Sequence, residues 1–116
     1  MHELAVAYAL VEQVEMLIHQ NQAQRATHIY LRIGPLSGIV PELLSDAISI
    51  VAASSRMAGA ELEMTRTSIR IYCQVCEAED EVEINRLLCP SCGNWHTKMI
   101  SGDELLLERI ELEGDD

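Results

Sequence analysis

The 116-residue sequence contains no phenylalanine, one tryptophan and three tyrosines. With so few aromatics, any core must be built from Ala, Val, Ile, Leu and Met. The apolar share of 48% is enough for one compact core, so the chain is read as one small domain, or one domain with a satellite. A long hydrophobic run is also missing. The longest apolar stretch, Leu4 to Val11, falls far short of the roughly 20 residues that a membrane helix needs. No basic segment precedes that stretch and Glu3 opens it, so the expectation is no export signal, no membrane contact and a cytoplasmic location. Basic residues are scarce as well: 8 Lys and Arg stand against 19 Asp and Glu, for a net charge of −11. Residues 1–72 carry 5 basic and 7 acidic groups, whereas residues 73–116 carry 3 and 12. Such a field repels phosphate and argues against nucleic-acid binding. It favours cations or a basic protein partner, although solubility alone also accounts for an acidic surface. There is neither a phosphate-binding GxxxxGK[ST] loop nor a nucleophile elbow around Ser54 or Ser55, so no enzymatic activity is expected.

The apolar pattern supplies the elements. Leu4, Ala7, Tyr8, Val11, Val14 and Ile18 recur at helical steps, which predicts a helix from Met1 to about Gln22, with Glu15 near the edge of its apolar stripe. Residues 27–33 alternate, with Ile29, Leu31 and Ile33 inward and His28, Tyr30 and Arg32 outward, as in a half-buried strand. Gly34-Pro35 ends it. Pro41-Glu42 is a helix start, Leu43, Leu44, Ala47, Ile48 and Val51 form the buried stripe, and Gly59 is the expected stop. Two short strands follow at 61–65 and 68–72, with Leu62, Met64, Ile69 and Ile71 inward. Residues 73–98 lack periodicity. A last strand runs from about Leu105 to Leu112 with Leu106, Ile110 and Leu112 on one parity. Glu108 breaks the pattern, which predicts a bulge or an edge position. The expected class is α+β: two helices packed on a small, mostly antiparallel sheet, with an inserted zinc-ribbon-like four-cysteine module. The expected division is an α+β domain over 1–70, completed by the final strand 103–113, and a metal-binding module over 71–98.

All four cysteines lie in two CxxC pairs, Cys73-Gln74-Val75-Cys76 and Cys89-Pro90-Ser91-Cys92, and Gly93 follows the second. A two-residue gap turns both thiolates toward one point, and two such knuckles supply four sulfurs at about 2.3 Å from a tetrahedral ion. Structural Zn(II) on Cys73, Cys76, Cys89 and Cys92 is the expected occupant. Disulfides fit poorly with a reducing compartment, and a redox CxxC usually stands alone. Iron is the serious rival, because Cys-Pro-x-Cys-Gly also occurs in rubredoxin-type sites. Those sites sit in aromatic-rich cores, whereas only Tyr72 and Trp95 are available here.

The chain opens Met1-His2-Glu3. A terminal amine, the amide nitrogens of residues 2 and 3 and the His2 imidazole can close fused chelate rings on one ion, and planar nitrogen donors suit Ni(II) or Cu(II). Glu3 stands beside them as a further donor. From spacing alone, an ordinary helix start explains His2 and Glu3 better than a metal site does. Elsewhere, His19, His28 and His96 are expected on the surface, and Met57, Met64 and Met99 as core filler.

Met-His-Glu-Leu at the start, Arg-Ile-Gly-Pro-Leu-Ser over 32–37, the paired CxxC motifs and Gly102-Asp103-Glu104-Leu105 together resemble the HypA/HybF family over essentially the whole chain. The resemblance implies a nickel metallochaperone of nickel-iron hydrogenase maturation. It implies a nickel site at Met1, His2 and Glu3 and a structural zinc on the four cysteines. It further implies partnership with a nickel-handling maturation GTPase that promotes delivery to the hydrogenase large subunit. Hydrogenase, urease or both remain open as targets, as does monomer or homodimer. Two other classes compete on the residues alone: a zinc-ribbon adaptor without a transported metal, and a rubredoxin-type electron carrier.

Overall fold

The structure, a computed structural model, describes residues 2–114. The chain runs α1 (Glu3–Gln20), β1 (Ala23–Ile33), α2 (Pro41–Ala52), β2 (Glu61–Arg66), β3 (Ile69–Cys73), β4 (Glu79–Val82), β5 (Thr97–Ser101) and β6 (Leu105–Gly114). These strands make two sheets, ordered β2-β1-β6 and β4-β3-β5. β1 pairs parallel with β2 across the α2 crossover, and every other pairing is antiparallel.

The main core lies between the two helices and the first sheet. Ala7, Leu10, Val11, Val14 and Ile18 of α1 and Leu44, Ala47, Ile48 and Ala52 of α2 meet Ile29, Leu31 and Ile33 of β1. Burying each large aliphatic side chain contributes about 1.5–3 kcal/mol. The alternation read for β1 therefore holds. The helix stripes need correction: Leu4, Tyr8 and Leu43 are half or more exposed, and Leu10 and Ala52 are buried instead. Ile69 and Ile71 are buried as expected, but β3 forms the centre of the second sheet. Met57 fills the core, whereas Met99 is exposed on β5, against expectation.

α2 starts at Pro41 as read, and the Pro ring sets φ where no N–H is needed. It stops at Ala52, well before Gly59. The reason is Ser55, whose hydroxyl and amide both donate to the Ala52 carbonyl at 2.8 and 2.9 Å. Gly59, at φ +75°, instead serves the turn that enters β2.

β6 is both an edge strand and bulged. Tyr30 pairs with Arg109 and Leu31 with Leu107, which leaves Glu108 as the extra residue. The bulge inverts the parity: Leu105 and Leu107 pack on the core before it, Ile110 and Leu112 after it, and Leu106 faces out. The segment read as lacking periodicity holds two strands. β4, Glu79-Asp80-Glu81-Val82, has a poor intrinsic strand composition and is held by its register against Ile69–Tyr72.

The two sheets meet at a knot of backbone hydrogen bonds. Gly34 N–H donates to Glu104 O at 2.8 Å, Leu36 N–H to Gly102 O at 2.7 Å, and Thr67 N–H to Ile33 O at 3.0 Å. The Glu104 carboxylate accepts from Thr67 Oγ1 at 2.7 Å and from Gly102 N–H at 3.0 Å. A Cβ on Gly34 would lie 2.3 Å from Gly102 O, so only glycine admits this approach.

Candidate metal centre

Each CxxC pair forms a tight loop, and the two loops repeat one backbone pattern. Glu77 N–H donates to Cys73 O at 2.9 Å and Gly93 N–H to Cys89 O at 2.8 Å. In turn, Cys73 N–H donates to Ala78 O at 2.8 Å and Cys89 N–H to Asn94 O at 3.0 Å. The residue after each second cysteine has positive φ: +64° at Glu77 and +78° at Gly93. Glycine fills that position in one loop, and a glutamate accepts the left-handed conformation in the other.

These loops bring all four sulfurs within 4.8 Å of one another. Cys73 and Cys92 Sγ are 3.6 Å apart, and Cys76 and Cys89 Sγ 3.5 Å. A tetrahedron with metal–sulfur bonds of about 2.3 Å has edges of about 3.8 Å, so the donor set fits one four-coordinate ion. Cys73 and Cys89 are buried, and Cys76 and Cys92 face solvent. Cys73 Sγ accepts the Cys76 and Val75 backbone N–H groups at 3.4 Å each. Donation from Cys76 above all, opposed by burial, draws the Cys73 thiol down to about 6, so it favours the thiolate that ligates metal.

His2 is the N-cap of α1 and is solvent-exposed. Glu3 is largely buried, and its Oε2 accepts the Val40 backbone N–H at 3.0 Å. That bond ties the start of α1 to the N-cap of α2. The expectation for Met1 lies outside the described residues.

His19 and His96 are exposed as read. His96 stacks on Trp95 at 3.8 Å between centroids, and its Nδ1 lies 2.9 Å from Asn94 Oδ1. His28 differs from expectation. It is half-buried between carboxylates of both neighbouring strands, with Nε2 3.3 Å from Glu61 and Nδ1 3.0 Å from Glu111. Its direct cross-strand partners in the register are those two residues, a signal that appears only once the strands are paired.

With this geometry in place, comparison with known proteins is decisive. The family model described as "Hydrogenase/urease nickel incorporation, metallochaperone, hypA" matches residues 1–112. The chain belongs to the HypA family. Hydrogenase maturation factor HypA of Shewanella sp. (strain MR-7) is 34% identical over 116 residues, covering 100% of this chain and 98% of the relative. That of Nitrosospira multiformis is 37% identical over 112 residues, covering 97% of each. That of Aquifex aeolicus is 36% identical over 115 residues, covering 99% of this chain and 100% of the relative. The solution structure of the Ni metallochaperone HypA from Helicobacter pylori superposes with a TM-score of 0.72 at 21% identity, covering 99% of this chain and all of that one. At that identity the likeness establishes the HypA fold. Two of the stretches by which the sequence resembles the family, 32–37 and 102–105, meet at the knot between the sheets.

Proposed function

We propose that this HypA-family protein is a nickel metallochaperone, not an enzyme, which binds Ni(II) at its amino terminus and delivers it during maturation of nickel-iron hydrogenase. The carrying observation is the match of residues 1–112 to a family of nickel incorporation. The nickel donors are the Met1 amine, the adjoining amide nitrogens and the His2 imidazole, with the Glu3 carboxylate beside them. Support comes from His2: its carbonyl accepts the Val6 N–H at 3.0 Å as the N-cap of α1, while its exposed ring makes no capping bond and can turn to an ion without unwinding the helix. Zn(II) is the resident ion on Cys73, Cys76, Cys89 and Cys92, where it supplies folding energy to a segment with little core of its own. Residues 1–70 with 103–113 form the nickel-binding part and 71–98 the zinc module. A maturation GTPase and the hydrogenase large subunit are the partners, with urease maturation as a second destination, in the cytoplasm. Among the described residues no helix is long and apolar enough to cross a membrane.

Calorimetric nickel titration of the wild type, His2→Ala and a chain extended before Met1, matched for zinc, tests the nickel site. His2→Ala should abolish tight binding and leave the fold intact, and the extension should weaken binding. Affinity should also fall on acidification, because protons compete for the nitrogen lone pairs that ligate the metal. Tight binding by His2→Ala would move the nickel site elsewhere. Elemental analysis tests the second site: Cys76→Ala or Cys89→Ala should lower bound zinc, and added nickel should leave the zinc of the wild type in place. A red, iron-containing protein would overturn the zinc assignment.

A further inference from the structure

Beside the second knuckle, Val82, Leu88 and Pro90 line an open groove of about 420 Å³. Glu81 and Glu83 stand on its lip, with Arg86 as the single basic side chain among the lining residues. Both carboxylates are exposed, and among the described residues neither forms an ion pair. The stretch 81–83 also lines a second cavity of about 180 Å³ that reaches Pro35 and Ile69 at the knot between the sheets. β4 is an edge strand of its sheet, so one of its sides is open to a further strand.

We propose that this groove docks a basic, extended segment of another protein. One apolar side chain of the segment enters between Val82, Leu88 and Pro90, and its Lys or Arg side chains meet Glu81 and Glu83. The charge argument selects this occupant. Glu79 and Asp80 on the same strand add to the field, and the 12 acidic against 3 basic groups over 73–116 outweigh the repulsion from Arg86. The same field disfavours a second copy of this chain. An extended segment suits the site because an open strand edge supplies backbone pairing while an adjacent pocket reads alternate side chains. Cys89 lines the groove too, so the docking surface exists only while the knuckle is folded. The inference is independent of the nickel site, which lies at the amino terminus.

The test uses the full-length, zinc-loaded, 15N-labelled protein. The probe is an acetylated and amidated heptapeptide of alternating Lys and Leu, with a Glu/Leu counterpart as control. Amide shifts should concentrate at Val82, Leu88 and Gly93 and spare both helices. The double variant E81Q/E83Q should weaken binding about five-fold, from two rim pairs of about 0.5 kcal/mol each. Leu88→Ser should weaken it comparably at unchanged zinc content. Should that variant lose zinc, Val82→Thr on β4 takes its place. Shifts centred on α1 or α2, undiminished binding by E81Q/E83Q, or equal binding of the Glu/Leu peptide would each overturn the proposal.

Discussion

The two knuckles differ at one residue in a way that energy can read. Glu77 and Gly93 occupy equivalent positions with φ of +64° and +78°, and only glycine reaches that region without cost. A non-glycine residue there is strained by about 1 kcal/mol. Glu77→Gly should therefore slow zinc loss to a competing chelator, and Gly93→Ala should hasten it by a similar factor. No atom lies within 4 Å of a Cβ built at Gly93, so the second effect is conformational and not a clash. Stopped-flow release with a chromogenic chelator measures both, and equal release rates in all three proteins would refute the assignment of strain. At this scale much of the metal centre was legible before any fold was known. Cysteine spacing fixes which sulfurs converge, because a two-residue gap leaves little freedom. The role of Glu77 was not legible, since glutamate carries no signal for positive φ. The carboxylates around His28 were hidden for another reason: Glu61 and Glu111 lie on strands remote in sequence, and only the register brings them together.

Among the elements, α1 shows how a residue at the edge of a pattern can be structural. Glu15 weakens the apolar stripe, yet its carboxylate accepts the Arg56 backbone N–H at 2.6 Å and Arg56 Nε at 2.9 Å. It thereby pins the turn after α2 to the middle of α1. The Arg56 N–H, with the guanidinium, holds this carboxyl below its ordinary value, against a partial cost of burial. A group whose folded pKa is depressed stabilises the fold above its unfolded value of about 4.3, and loses that contribution as pH falls through the folded value. Glu15→Gln should thus cost about 1 kcal/mol at neutral pH, discounted for its partial exposure. The gap to the wild type should close in acid below pH about 4. Urea unfolding of the two proteins across that range checks it, and a gap independent of pH would count against the ionic contact. Elements with a strong local cause were legible: the alternation of β1, the proline start of α2, the bulge at Glu108. Those set by remote partners were not. β4 is three acids and a valine, and its extended form is imposed by β3. The end of α2 depends on one serine hydroxyl, which ordinary stop signals do not reveal.

For the molecule as a whole, the knot at Gly34, Thr67, Gly102 and Glu104 fixes how the two sheets stand to each other. Gly34→Ala should displace the Gly102 carbonyl and raise amide exchange at Leu36, while the interior of α1 stays protected. Unchanged exchange at Leu36 would show that the junction tolerates a side chain. The α+β class was legible because the helices and β1 have local patterns. The knot was not, because Gly34 and Gly102 stand 68 positions apart in the chain. That separation has a consequence for how the protein assembles. β1 must wait for β6: Thr27 bonds to Glu111 across 84 positions, and the cysteine segment sits inside that span. A bound ion joins Cys73 to Cys92 and shortens the span by 19 positions. The loop-closure entropy saved is only about 0.2 kcal/mol, since it grows with the logarithm of loop length. The first sheet should therefore zip up at nearly the same rate with or without the ion. Newly made chains would complete their helical half whether or not metal is present, and a chelated protein should retain slow amide exchange in β1 and β6 while β3 to β5 exchange freely.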